Sequence, residues 1–564
     1  MSSTPVLDAV REDLRAGRVG RAIGALREVT QSESQNAPAW ALLGEALARS
    51  GDRIGAEQAL WRSLELEPNQ VTPATQLAHL LAARGNAAEA VKVLAPFVDA
   101  GTEDVRLLTL LGSALRAAER RDDSAEAYEK AATAAPDIPA IQHNLAGALV
   151  DAYRYSEAEA ALKRAFDMGL DAPESWLVLG RARQGLADFV GAESAYREAI
   201  RRRPMYADAH SELAQLVWMR TEDEAAARAD LDKALASVPG DVDLSLARAR
   251  LLEYSEDAAK AYESLGDALS NFSGSAHLQI AAALLAVGVD PDLALNHAQS
   301  AAAVLGEVGP AAAALCQAHL AIGQADEAAR IAEELCRRWP LDQHPVTLAA
   351  TAWRILGDPR YRALYDYDRL VRVRKIETPA GWPTLEAFLS DLSASLRELQ
   401  RLKTHPVGQS LRFGSQTAQS LTRSGDPVVK AFFTILDAPI RSYIEALGGS
   451  DDVLGRRVTD GYRFSGAWSV QLRPGGHHVN HIHPMGWISS AFHVELPHAV
   501  DDGHQGWLKL GEPGVVTSPR LGPEHYVKPQ AGVLVLFPSY MWHGTVPFGG
   551  DEPRLTAAFD VLPA

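Results

Sequence analysis

The sequence predicts a multidomain chain: an all-α repeat superhelix, then a helical linker, then a double-stranded β-helix, or jelly-roll, domain. Three observations lead there. Roughly the first 340 residues repeat with a period of about 34. The repeat fades near residue 345, and from Tyr462 the chain turns to short β-rich runs broken by Gly or Pro. At 564 residues the chain is also too long for one core. The expected domains are 1–345, 346–460 and 461–564.

The repeats are read from position-specific residues. Counting Ala37 as the first position puts Trp40, Leu43, Gly44, Ala56, Leu60 and Pro68 at spacings that recur from Val105 and from Pro173. The second copy runs through Leu108, Leu111, Gly112, Tyr128, Ala131 and Pro136; the third has Trp176, Leu179, Gly180, Ala192, Tyr196, Ala199 and Pro204. Weaker copies start near residues 71, 139, 207, 242, 276 and 309, and residues 1–36 supply one more. Small residues fall where paired helices approach, large apolar ones fill the interface, and Pro ends the second helix. That pattern matches the tetratricopeptide signature. Such a superhelix has a concave face suited to peptide, so a protein or peptide partner is expected there. Trp40, Trp176, Tyr128 and Tyr196 are expected to pack between helices. Cys316 and Cys336 are expected as buried thiols on adjacent helices of one repeat.

Residues 354–375 are rich in Arg and Tyr, and read as a packed, solvated linker. Apolar periodicity predicts helices over Leu385–Leu402 and Pro427–Leu447, bracing the last domain. Strands are expected over Ala467–Leu472, Ile488–Leu496, Gly506–Leu510, Gly532–Phe537 and Arg554–Val561, with a turn at Gly475-Gly476.

That last domain holds the residues able to do chemistry. His481-Ile482-His483-Pro484 is followed by Trp542-His543 and then Arg554-Leu555-Thr556. Two imidazoles at i and i+2 share a strand face, and imidazole is a preferred ligand of iron, zinc and copper. A third His and a downstream Arg can complete a mononuclear metal site beside an anion clamp. His477 and His478, next to Gly475-Gly476, read as neighbours of the site or as surface. Glu495 is a candidate carboxylate ligand, although a position outside the metal shell is the plainer reading.

These segments carry a family resemblance. With Trp487 to Pro497, Lys528 to Ser539 and, upstream, Gln409 to Thr417, the last ~160 residues resemble the Fe(II)- and 2-oxoglutarate-dependent oxygenases, in the branch that follows tetratricopeptide repeats. The resemblance implies metal ligation by His481 and His543, with Fe(II), 2-oxoglutarate and O2 as the reacting set. It places Arg554 and Thr556 as the clamp on the distal carboxylate of 2-oxoglutarate, which a bidentate Arg suits better than Lys. The wider superfamily has a carboxylate where this chain has His483. Either His483 coordinates or water fills the position, as in aspartyl/asparaginyl β-hydroxylase-like enzymes, whose layout of repeats before an oxygenase is similar. The expected activity is hydroxylation of a side chain on a recruited protein or peptide. The competing readings are a repeat scaffold with an inactive barrel and a three-histidine zinc or cupin-like enzyme.

Composition narrows the classes further. A net charge of -17 disfavours nucleic-acid binding. No run approaches a membrane span and no signal peptide is apparent. Two cysteines give no disulfide framework, so a cytoplasmic setting is expected.

Overall fold

The computed structural model describes residues 4–255, 257–449 and 451–564. The chain divides into two compact units, Met1–Asp188 and Phe189–Ala564. This division falls inside the repeats rather than at residue 345.

The first unit is built of helix pairs. Second to fifth pairs begin with Ala37–Ser50, Val71–Ala83, Val105–Ala117 and Pro139–Asp151, which are the starts the repeat predicts. Local chemistry sets these ends: Asn36 accepts from the Ala39 N–H at 3.0 Å, and Asp52 from Gly55 at 2.9 Å. The small-residue positions are needed for close approach. A Cβ on Gly44 would sit 2.5 Å from Leu60, and one on Gly112 would sit 2.6 Å from Tyr128. Tyr128 is buried. Trp40 and Trp176 are only half-buried, at the edge of the core, because each indole N–H reaches out to a partner. Trp40 donates to the Ser34 carbonyl and Trp176 to the Asp171 carboxylate.

In the second unit the helix pairs continue, with starts at Ala207, Val242, Ala276 and Gly309. Tyr196 is fully buried here. Cys316 and Cys336 lie on the paired helices Gly309–Ala321 and Ala325–Arg338 as free thiols. Burial pushes both thiols up, Cys336 to about 12. A further helix, Gln343–Leu356, extends the repeat region past residue 345.

Among the described residues the β region has nine strands: β1 (Arg372–Lys375), β2 (Leu411–Gln416), β3 (Tyr462–His478), β4 (Ile488–Glu495), β5 (Leu508–Leu510), β6 (His525–Val527), β7 (Val533–Pro538), β8 (His543–Thr545) and β9 (Arg554–Pro563). They form a six-stranded sheet in the order β1-β7-β4-β9-β3-β2 and a three-stranded sheet β6-β5-β8, with every named pair antiparallel.

Two expectations need correction. The segment 346–460 is not purely helical, since it supplies both edge strands, β1 and β2, and a boundary at 460 cuts the larger sheet. The charges of Arg372, Arg374 and Lys375 read as a linker because they are what an exposed edge strand carries. The Gly475-Gly476 pair does not end β3, which runs on to His478 through a bulge opposite β2. Gly476 is required there, because a Cβ would lie 3.0 Å from the Phe413 carbonyl oxygen.

The helices Leu385–Leu399 and Pro427–Leu447 cover the six-stranded sheet, with Phe432 and Phe492 ring centroids 4.8 Å apart. Later repeat helices also hold the β region directly. The Met219 carbonyl accepts from the N–H groups of Lys403 and Thr404 at 2.8 and 3.2 Å. His405 donates to the Tyr254 carbonyl at 3.1 Å and meets Trp218 edge-on. Thr347 donates to the Tyr540 carbonyl at 2.8 Å.

Candidate metal centre and anion pocket

Strand geometry brings the three predicted histidines together. His481 and His543 form an antiparallel bridge, with N–H···O distances of 2.9 and 3.0 Å in the two directions. The N–H of His483 donates to the carbonyl of Ser539, just past the end of β7, at 3.0 Å. Ring centroids of His481 and His543 are 4.1 Å apart, and His483 lies 5.1 Å from each. The ligating nitrogens all fall within 4.8 Å of one another.

The second nitrogen of each ring is occupied. Nδ1 of His481 donates to the Val479 carbonyl at 2.8 Å, and Nδ1 of His543 to the Met541 carbonyl at 2.9 Å. Nδ1 of His483 meets the Asp560 carboxylate at 2.6 Å. Asp560 is itself held by the Ser489 hydroxyl at 2.7 Å, which in turn lies 2.9 Å from the Ser539 hydroxyl. These bonds set the tautomers and leave Nε2 of His483 and His543 open to a metal, the support that metal-ligating histidines need, while Nε2 of His481 faces the Ser410 hydroxyl at 3.2 Å. Burial holds His543 well below the usual imidazole range and His481 at about 3, so both rings are in the neutral, ligating form. Burial also pulls His483 down, but the adjacent Asp560 charge and hydrogen bond outweigh it and raise the group.

The neighbouring histidines separate. His478 shares the Ser410 hydroxyl with His481, at 2.9 Å from its own Nδ1 and 3.2 Å from Nε2 of His481. It stands beside the cluster without joining it. His477 turns to the Gly475 carbonyl and Phe413. Glu495 is not a substitute ligand: its carboxylate is held at 2.8 Å by Arg397 and Ser393 of the covering helix.

Arg554 and Thr556 line the same cavity as the histidines, a space of about 610 Å³. Arg554 is 3% exposed and forms no ion pair among the described residues. One guanidinium nitrogen donates to the Gly506 carbonyl at 2.5 Å and another lies 3.4 Å from Nδ1 of His493, while Nε has no partner. Nε2 of buried His493 is likewise without one. Burial lowers Arg554 to about 10. A buried cation without a counter-charge is costly, and a carboxylate fits it. Thr556 offers its hydroxyl from the same strand face, 3.4 Å from the Val470 carbonyl.

Asp560, His493 and Ser410 were given no role from sequence. Asp560 continues the even-numbered face of Arg554 and Thr556 along β9, which was a usable signal. His493 is a lone imidazole in the apolar run Phe492-His493-Val494. Ser410 belongs to the Gln409–Thr417 segment but gives no local hint of its histidine contacts.

Comparison with known proteins agrees with this layout. Residues 466–560 match the family model described as "Putative 2OG-Fe(II) oxygenase". Residues 7–69, 75–139 and 177–242 match a tetratricopeptide repeat model. No curated protein matches. Similar solved structures include a tetratricopeptide repeat protein from Parabacteroides merdae, 15% identical, covering 46% of this chain and 98% of its own, with a TM-score of 0.36. Another is MamA from Desulfovibrio magneticus, 24% identical, covering 30% and 94%, with a TM-score of 0.27. YrrB, titled a TPR protein with an unusual peptide-binding site, is 15% identical and covers 33% and 95%, with a TM-score of 0.31. Tetratricopeptide repeats are thus matched within residues 7–242, and a putative 2OG-Fe(II) oxygenase domain over residues 466–560.

Proposed function

We propose that the C-terminal domain is an Fe(II)- and 2-oxoglutarate-dependent dioxygenase that hydroxylates a side chain of a protein or peptide engaged by the repeats. The observation that carries this reading is the buried, uncompensated Arg554 in the same cavity as a three-histidine cluster. In this reading His481, His483 and His543 hold iron through Nε2. Arg554 takes the distal carboxylate of 2-oxoglutarate, and Thr556 adds a hydroxyl. When bound, iron with 2-oxoglutarate and O2 supplies the oxidising power, at the cost of decarboxylation to succinate and CO2.

The chain's own contribution is geometric and electrostatic. Asp560 aims His483 and balances charge at the cluster. The Asp560 carboxylate stands behind His483, so it acts on the cluster through that ring rather than as a direct ligand. Trp468, Val470 and Phe537 line the cavity with apolar surface that keeps water from the reacting region. A zinc or cupin-like reading gives Arg554 no task, and an inactive scaffold gives the aligned tautomers none.

Among the described residues no helix is long and apolar enough to cross a membrane. The free Cys316 and Cys336 suit a cytoplasmic setting. The test is anaerobic titration of full-length protein with Fe(II) and 2-oxoglutarate, followed by succinate release in air. Both ligands are expected to bind together; binding of neither would overturn the reading.

A further inference from the structure

The cavity has an outer end that neither the metal nor the anion clamp explains. Its wall there comes from a repeat helix, Val242–Tyr254, whose last two residues, Glu253 and Tyr254, line the space. They are held in place by the strand-side segment that carries Ser410. His405 bonds the Tyr254 carbonyl, Arg412 stands over the Tyr254 ring at 5.4 Å, and Gly408 lets Arg250 approach so closely that a Cβ would sit 2.8 Å from its Nη2. The active cavity is thus a joint product of repeat and barrel.

Setting aside the metal cluster with its Asp560 and the Arg554 clamp, two charged side chains line this space, Arg412 and Glu253. Arg412 is buried and one of its nitrogens donates to the carbonyls of Gln409 and Leu411 at 2.8 and 3.0 Å. Its charge serves the fold. Glu253 has no hydrogen bond or ion pair from its carboxylate among the described residues. Glu253 is exposed overall, and the desolvation its carboxyl does meet raises it more than nearby Arg250 and Arg412 lower it. It also stands at the C-terminal end of its helix, where the unpaired carbonyls add negative potential. Tyr254, whose ring already meets Arg412, adds aromatic surface beside Glu253.

We propose that this outer end selects the substrate by its charge: Glu253 receives a lysine or arginine side chain of the peptide whose oxidation the inner end carries out. The inference rests on the oxygenase reading for the word substrate, but the recognition itself is a binding event. A free amine or guanidine shares the chemistry, so the test separates free amino acid from peptide.

Full-length protein without added metal is titrated calorimetrically with equal-length synthetic peptide pools, one Lys/Arg-rich, one neutral and one Asp/Glu-rich, and with free lysine and arginine. The basic pool is expected to bind tightest and more tightly than the free amino acids. Glu253→Gln should weaken the basic pool about tenfold while sparing the neutral one, the scale of one charge-assisted contact. Glu253→Lys should move the preference to the acidic pool, a gain that misfolding cannot mimic. Equal binding of all pools, absence of binding, an acidic preference in wild type, or a ranking unmoved by Glu253→Gln overturns the proposal. Free lysine or arginine binding as well as the peptides overturns its peptide part. Because no metal or turnover enters, failure here is distinct from failure of Fe(II) and 2-oxoglutarate to bind.

Discussion

The two inner ends of the cavity are built on opposite principles. At the histidine end every Nδ1 has a partner, and even the carboxylate behind His483 is hydrogen-bonded. At the Arg554 end a buried guanidinium keeps an unsatisfied Nε, and the adjoining His493 keeps an unsatisfied Nε2. The first end is aligned by the protein alone, so its ligand finds a finished site. The second stores an electrostatic cost that only an anion relieves. In the proposed function, preorganised imidazoles beside an unbalanced cation are what joint capture of a metal and a carboxylate would require.

The comparison can be broken by removing parts of each end. His543→Ala removes a ligand, and we expect metal affinity to fall by about a thousandfold or more, beyond the 10–100-fold typical of outer-shell changes. His477→Ala should stay near wild type, because that ring faces Phe413. Metal content and calorimetry check both; a larger loss in His477→Ala would show that the wrong histidines were grouped. Asp560→Asn keeps the shape but removes the charge behind His483, and metal affinity should fall about 10–100-fold. Unchanged affinity would mean that His483 does not coordinate.

Stability sharpens the contrast. Arg554→Met replaces an uncompensated buried cation with an apolar chain of similar length, so unfolding free energy should rise by about 1–2 kcal/mol. Asp560→Asn should lower it, since it weakens a satisfied network. Chemical denaturation of both variants reads the signs directly, and the same sign in both would erase the distinction between the ends. The smallest effect is expected from Glu495→Gln. Its pair with Arg397 is partly exposed and worth about 0–1 kcal/mol, and metal affinity should stay within about twofold.

The sequence revealed these ends unevenly. His481, His483 and His543 could be grouped because imidazole chemistry is specific and the His-x-His spacing puts two on one face. Arg554 and Thr556 came from the family resemblance, with strand parity putting both on one face, and the same parity reaches Asp560, which an apolar setting disguised. Ser410 and Glu253 were illegible because the groups around them lie far away in sequence, and no local pattern encodes a contact between a repeat helix and the β region. The repeat starts were legible to the residue, since a fixed period averages over many copies. β1 was hidden because an edge strand carries charges that mimic a linker, and the Gly475-Gly476 bulge because glycine pairs mark turns and bulges alike.

The central claim is that one cavity takes a metal at its histidines and 2-oxoglutarate at Arg554. Anaerobic calorimetric titration of 2-oxoglutarate into Fe(II)-loaded wild type and Arg554→Ala tests it most directly, with metal content measured on the same samples. Losing a buried charge pair costs about 2–5 kcal/mol, so the variant should bind 2-oxoglutarate roughly 30- to several-thousand-fold more weakly while retaining its iron. Equal 2-oxoglutarate affinity in the two proteins would contradict the account.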